Sequence, residues 1–181
     1  KDTKHVVRFK MPHKVSITLN DLVKGRVNWE SVPMRDPVLL KSDGFPTYHL
    51  AVVCDDHDME ISHVMRGDEW LPSAPLHLLL YEALEWEPPL FAHLPVVLGT
   101  DGKKLSKRHG AVSSNTLREE GFLAEAVLNY SVLVGWSPGE GEEQEIFSKD
   151  ELAKRFRIQG INNANAVFDY NKLLWMNGVY I

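Results

Sequence analysis

Between Leu50 and Leu98 the chain reads as strand, helix, strand, and that order restricts the fold more than any other feature. Leu50-Ala51-Val52-Val53-Cys54 is a continuous apolar run that ends at Asp55-Asp56, the pattern of a strand buried on both faces. Ile61 to Met65 reads as a second, short strand. Ser73 stands where a helix cap belongs and Pro75 suits the first turn. Leu76, Leu79, Leu80, Ala83 and Leu84 supply an apolar face, and Pro88-Pro89 forbids continuation. His93 to Leu98 then reads as another buried strand. This order predicts a right-handed parallel crossover and hence an α/β fold. Open parallel sheets bind ligands outside the carboxyl ends of their strands, here Asp55-Asp56, Arg66-Gly67 and the segment after Leu98.

The flanks differ in texture. In the first 45 residues Val15, Ile17 and Leu19 alternate with Ser16, Thr18 and Asn20, and Val27 and Trp29 repeat the two-residue period after a Lys24-Gly25 turn. Pro33, Pro37 and Ser42-Asp43-Gly44 punctuate the chain, placing a boundary near residue 45. Beyond the crossover the pattern is helical. Leu117 to Glu120 ends at Gly121, and Phe122 to Val134 carries a stripe of Phe122, Ala126, Val127, Tyr130, Leu133 and Val134 closed by Gly135. Residues 138–145 form an acidic loop, Ser148 and Glu151 a capping box, and a last helix runs from about Asp169 to Asn177 and stops at Gly178.

Composition narrows the function classes. With 44% hydrophobic and 25% charged residues among 181, the chain is neither disordered nor low in complexity. Twenty Lys and Arg against 25 Asp and Glu give a net charge of −5, which excludes a surface that coats nucleic acid with positive charge all over. No apolar run reaches the ~18 residues of a membrane span, and the single Cys54 permits no internal disulfide. Cys54, His57 and His63, with Asp55 and Asp56, lack the second close ligand pair of a structural zinc site, so no structural zinc is expected. The chain begins at Lys1 without a leader-like stretch and reads as a piece of something longer.

Against that negative total, Asp101-Gly102-Lys103-Lys104-Leu105-Ser106-Lys107-Arg108-His109-Gly110 places four positive charges within six residues, directly after a buried strand and between glycines. Lysine ammoniums act as point charges on phosphate oxygens and Ser106 adds a hydroxyl donor, so a polyphosphate suits this loop. A solvated basic loop is the alternative that the residues alone leave open.

Lys104-Leu105-Ser106-Lys107-Arg108 resembles the Lys-Met-Ser-Lys-Ser signature loop of class I aminoacyl-tRNA synthetases, with Leu for Met and Arg for the final Ser as in the glutamyl branch. Pro46 to Asp56, His63 to Glu69, Leu80 to Leu84, and Phe168-Asp169 through Trp175 to Gly178 are similar to the second half of the catalytic domain of bacterial-type glutamyl-tRNA synthetases. The likeness covers nearly the whole chain. It implies formation of glutamyl-adenylate from glutamate and ATP, then transfer of the acyl group to the terminal adenosine of tRNA(Glu).

The same resemblance implies roles for particular residues. Lys107 steadies the migrating phosphates, with Lys104, Ser106 and Arg108 holding the loop against ATP. The strand containing Val96 and Val97 receives adenine. Arg66 and Tyr48 bind glutamate, Glu69 touches ATP, and Trp70 contacts adenosine or the tRNA acceptor end. Magnesium is expected with the nucleotide, held by phosphate and water. Residues 1–45 would be the end of a connective domain, 46–110 the second half of a Rossmann-like parallel sheet, and 111–181 a helical stem-contact domain leading to an anticodon-binding domain. The family's His-Ile-Gly-His-type string is missing, so the chain is expected to supply half of an active site and to be inactive alone. A monomer in the bacterial cytoplasm or an organelle matrix is expected, with no membrane partner. A glutamyl-queuosine tRNA-modifying relative and a non-catalytic RNA-binding module are the alternatives.

Overall fold

The computed structural model describes residues 4–13, 16–30, 35–105, 113–139 and 141–181. Val15, Pro33 and the stretch from Ser106 to Gly110, singled out above, lie outside them. The chain forms two compact units, Lys1–His93 and Leu94–Ile181, so the expected segment 46–110 contributes to both.

The first unit opens on strands. β1 (Val7–Arg8) pairs antiparallel with β4 (Val38–Leu40), and β2 (Ile17–Asp21) pairs with β3 (Gly25–Trp29) as an antiparallel hairpin. The alternation in β2 is as expected: Ile17, Leu19 and Asp21 are buried while Thr18 and Asn20 face solvent. Gly25, at φ +72°, takes the left-handed conformation that lets the hairpin close. Its inner face joins a core built from Val53, Leu76, Leu79, Leu80, Tyr81 and Phe91. Each fully buried Leu there contributes about 1.5–3 kcal/mol.

The expected strand at Leu50–Cys54 is a helix, α1 (Tyr48–Asp58). A short apolar run cannot by itself be told from one side of a helix. Here Thr47 occupies the N-cap position, Val53 is the only fully buried residue, and Leu50 and Val52 are partly buried against the same core. One-sided burial overrides the strand preference of two adjacent valines. The next strand sits two residues later than expected, as β5 (His63–Gly67). A short 3₁₀ helix (Asp68–Ser73) follows and runs directly into α2 (Ala74–Ala83). Ser73 therefore already has helical dihedrals, and its side chain makes no capping hydrogen bond. The expected single strand His93–Leu98 is two, β6 (Leu90–Leu94) and β7 (Val97–Leu98), parted at Pro95, which has no N–H to give a ladder. β6 shares a two-stranded sheet with β5, so strand, helix, strand survives with β5 as its first member.

In the second unit β7 pairs in parallel with β8 (Ala166–Val167). The unit also holds α3 (Ser114–Glu119), α4 (Ala124–Gly135), α5 (Lys149–Arg155) and α6 (Tyr170–Tyr180). The capping box at α5 is formed, the Ser148 Oγ accepting from the Glu151 N–H and the Glu151 carboxylate from the Ser148 N–H. Helix α6 continues past Gly178, where it was expected to stop. The Tyr180 hydroxyl donates to Asn129 Oδ1 at 2.6 Å, lies 2.7 Å from the Phe147 carbonyl, and so ties the last turn to α4. Those bonds outweigh the ~1 kcal/mol that an interior glycine costs a helix. No helix among the described residues is long and apolar enough to cross a membrane.

Candidate active site

Arg66, near the end of β5, is hydrogen-bonded on two sides by buried histidines. Its Nε donates to His93 Nε2 at 3.0 Å, and its Nη1 lies 3.0 Å from His77 Nδ1. The guanidinium also stands 5.5 Å from the centre of the Phe91 ring. His77, on α2, is 2% exposed, and His93, on β6, is fully buried. Arginine has donors only, so both imidazole nitrogens facing it must be acceptors. His93 therefore carries its proton on Nδ1, which lies 2.6 Å from Asp21 Oδ2. His77 carries its proton on Nε2, which lies 3.0 Å from His49 Nδ1 on α1.

Asp21, buried at the end of β2, anchors one end of this chain. Burial pushes its carboxyl up, but the Lys24 N–H, the His93 imidazole and the N–H groups of Val23 and His93 more than offset that, and the group sits below the usual carboxylate range. Desolvation holds His77 neutral, its pKa pulled down to about 3 with Arg66 adding to the shift. Burial lowers His49 and His93 as well, although the Asp21 hydrogen bond works the other way on His93. The close His93–Asp21 contact is thus a neutral N–H on a carboxylate rather than an ion pair. Burial also draws the Arg66 guanidinium down, while Tyr48, Asp56 and Asp21 favour its charged form. Arg66 Nη2 is buried and makes no hydrogen bond among the described residues. An unfilled buried donor of this kind costs about 1–3 kcal/mol and more when charged, and Tyr48 is the neighbouring side chain that hydrogen-bonds the same guanidinium.

Tyr48, at the start of α1, is 46% exposed, and its ring lies 4.7 Å from that of Trp70. Glu69 is exposed and its carboxylate folds back over Gly67, where an added Cβ would come within 2.1 Å of Oε2. Arg66, Tyr48, Glu69 and Trp70, singled out in the sequence, all lie in the first unit, whereas Asp21, His49, His77 and His93, which form the hydrogen-bonded series around Arg66, were not singled out. The signal for His77 was available: a histidine inside the apolar stripe of α2 needs a partner once buried.

The other candidates lie in the second unit. Val97, in β7, is half-buried, and its carbonyl accepts from the Leu105 N–H at 2.8 Å; Val96 is half-buried just before the strand. After β7 the chain turns sharply. The Gly99 N–H donates to the Lys103 carbonyl, Gly102 adopts φ +73°, and Lys104 forms an isolated antiparallel bridge with Leu98. Lys104 is exposed beside that strand end. Ser106, Lys107 and Arg108 fall outside the described residues. No group of three or more His, Cys, Asp or Glu side chains that could hold a metal ion occurs among the described residues. Burial, with Asp58 and Asp55, pushes the Cys54 thiol up.

Comparison with known proteins follows the same lines. A glutamate–tRNA ligase of Treponema pallidum (strain Nichols) is 54% identical over 178 residues, which are 98% of this chain and 33% of that protein. A glutamate–tRNA ligase of Chlorobaculum parvum is 51% identical over 177 residues, 98% of this chain and 35% of that protein. The chain therefore spans about a third of the length of the curated relatives it matches. The crystal structure of a glutamate tRNA ligase from Elizabethkingia meningosepticum in complex with its amino acid superposes with a TM-score of 0.88 at 44% identity, covering 97% of this chain and 38% of that one. Residues 1–175 match the family described as "tRNA synthetases class I (E and Q), catalytic domain". With that match over nearly its full length, the chain belongs to the class I tRNA synthetases (E and Q), in the region of their catalytic domain.

Proposed function

We propose that the protein carrying this chain is a glutamate–tRNA ligase and that this chain supplies part of its catalytic domain. A glutamate carboxylate oxygen attacks the α-phosphorus of ATP, the bond to the bridging oxygen breaks, and pyrophosphate leaves. A hydroxyl of the terminal adenosine of tRNA(Glu) then attacks the activated carbonyl, and AMP departs. The observation that carries this reading is Arg66, a charged guanidinium whose buried Nη2 has no partner among the described residues, in a family that handles acidic and amide amino acids. Because Nη2 has no exposed surface, a carboxylate reaches it by displacing a neighbour, and Tyr48 is the exposed side chain that acts on the guanidinium.

The remaining roles divide between the two units. Tyr48 holds glutamate with Arg66, while Glu69 and Trp70 meet the adenosine or the tRNA end. In the second unit the strand at Val96-Val97 offers backbone groups and apolar surface to adenine. Lys104, Ser106, Lys107 and Arg108 act on the phosphates, Lys107 most strongly as charge moves onto the departing pyrophosphate. Magnesium enters with the nucleotide, coordinated by phosphate oxygens and water. Residues 1–45 serve as the end of a connective domain, 46–110 as the second half of the nucleotide fold, and 111–181 as a stem-contact region. The protein works as a monomer in the compartment that holds its tRNA, a bacterial cytoplasm or an organelle matrix.

Glutamate-dependent ATP–pyrophosphate exchange in the intact protein, run with tRNA(Glu) present, tests this. Exchange that requires glutamate, followed by acylated tRNA, is the expected result. No exchange together with retained tRNA binding would instead support a non-catalytic RNA-binding module, and glutamylation of a modified base would support the queuosine-type relative.

A further inference from the structure

We infer that His77 and His93 are positioning residues for glutamate recognition: as neutral imidazoles of opposite tautomer they accept from Arg66 Nη1 and Nε and leave Nη2 as the donor for the ligand's carboxylate. The inference rests on the reading that Arg66 binds glutamate, and it explains why histidines stand there. An arginine in a protein interior is most often met by carboxylates, which satisfy its donors but cancel its charge. A carboxylate on Arg66 would compete with the carboxylate of the substrate. A neutral acceptor fixes the plane of the guanidinium and leaves its full positive charge for the ligand.

The geometry supports each link. Between Asp21 and His49 runs an unbroken series, Asp21 to His93 at 2.6 Å, His93 to Arg66 at 3.0 Å, Arg66 to His77 at 3.0 Å and His77 to His49 at 3.0 Å. Every proton in it is assigned once Arg66 is a donor at both ends. Asp21 is itself fixed, its Oδ1 accepting from the N–H groups of Val23 at 2.9 Å, Lys24 at 2.8 Å and His93 at 3.1 Å. The anchoring carboxylate thus stands one imidazole away from the guanidinium, where it orients His93 without contacting Arg66. Protonating either inner histidine would set an imidazolium N–H against an arginine N–H. Their burial opposes this, keeping both rings in the acceptor form at neutral pH.

Variants at His77 in the intact protein separate positioning from packing. His77→Leu keeps bulk and removes the acceptor, and should raise the KM for glutamate about tenfold in pyrophosphate exchange while the KM for ATP moves less than twofold. His77→Asn returns an oxygen to the place of Nδ1 and should recover most of that loss. His77→Asp has the same shape and also accepts from Nη1, but it cancels the charge, and should bind glutamate worse than His77→Asn. A packing role predicts instead that the Asp and Asn variants behave alike. Since His77→Leu carries some folding risk, ¹⁵N-histidine NMR of the unsubstituted protein gives a second reading. At pH 7 it should show a neutral His77 protonated on Nε2 and a neutral His93 protonated on Nδ1. An imidazolium or the reversed tautomer at either site overturns the inference. So does a folded His77→Asn as impaired as His77→Leu, or a His77→Asp with unchanged glutamate KM. If Arg66→Ala leaves the glutamate KM unchanged, Arg66 does not bind glutamate and the inference falls with that reading. If Arg66→Ala raises the KM but the His77 variants are silent, only the inference falls.

Discussion

The surroundings of Arg66 and the turn that carries Lys104 are built by opposite means. Arg66 is held by His77 of α2 and His93 of β6, both buried, and these are held in turn by His49 of α1 and Asp21 of β2. Lys104 sits in a turn fixed by the main chain, through hydrogen bonds between Gly99 and Lys103 and between Val97 and Leu105, and it is exposed. A carboxylate of fixed size is best recognised by a rigid, desolvated partner, whereas a phosphate that moves during a reaction is best followed by mobile ammoniums on a firm base. The contrast predicts that changes at the first site appear in substrate binding and changes at the second in reaction rate.

Lys107→Ala carries the largest expected effect. Loss of a group that meets developing charge should slow adenylate formation by about 100-fold or more, with glutamate affinity nearly unchanged, in single-turnover measurements on the intact protein. Equal losses in rate and affinity would erase the division between the two sites. Arg66→Ala should do the reverse, raising the KM for glutamate about 100-fold, the scale of about 3 kcal/mol for a charge-assisted pair, with a smaller change in kcat.

Acid should reach the side-chain cluster before the turn. His77 has a folded pKa of about 3 against an ordinary 6.5, and His49 and His93 are lowered too. The unfolded chain therefore binds more protons across that window, so stability is fully present above pH 6.5 and falls as the pH drops toward 3. Asp21, lowered from 3.8, adds a further loss below that value. Denaturant midpoints measured from pH 8 to 4 check this, and His77→Asn should flatten the slope below 6.5. The smallest effect belongs to Gly102→Ala. A side chain at φ +73° costs about 1–2 kcal/mol locally, and should loosen the turn and lower the exchange rate a few-fold without changing the glutamate KM.

Much of this was legible beforehand because it depends on local pattern. The β2–β3 hairpin followed from two-residue alternation and a glycine turn, and the α5 cap from Ser148 and Glu151. Arg66, Tyr48 and the basic segment stood out through spelling shared with a family. What escaped depends on distant partners. Leu50 to Cys54 carries the apolar content of a strand, and only packing on one side, through Val53, makes it helical. Gly178 marks a helix end on propensity, and the bonds of Tyr180 to Asn129 and Phe147 move that end onward. Asp21 and His93 are 72 residues apart, and nothing local in either stretch announces that they meet. Long-range polar networks of this sort leave only a faint trace, a polar residue at a position that the apolar period assigns to the core.

The most direct test is a crystal structure of the intact protein with glutamate bound. A substrate carboxylate oxygen should lie about 3 Å from Arg66 Nη2, with His77 and His93 still accepting from Nη1 and Nε and Tyr48 moved from the guanidinium onto the bound glutamate. A bound glutamate beyond hydrogen-bonding reach of that guanidinium, or an Arg66 that abandons both histidines to meet it, would contradict the account.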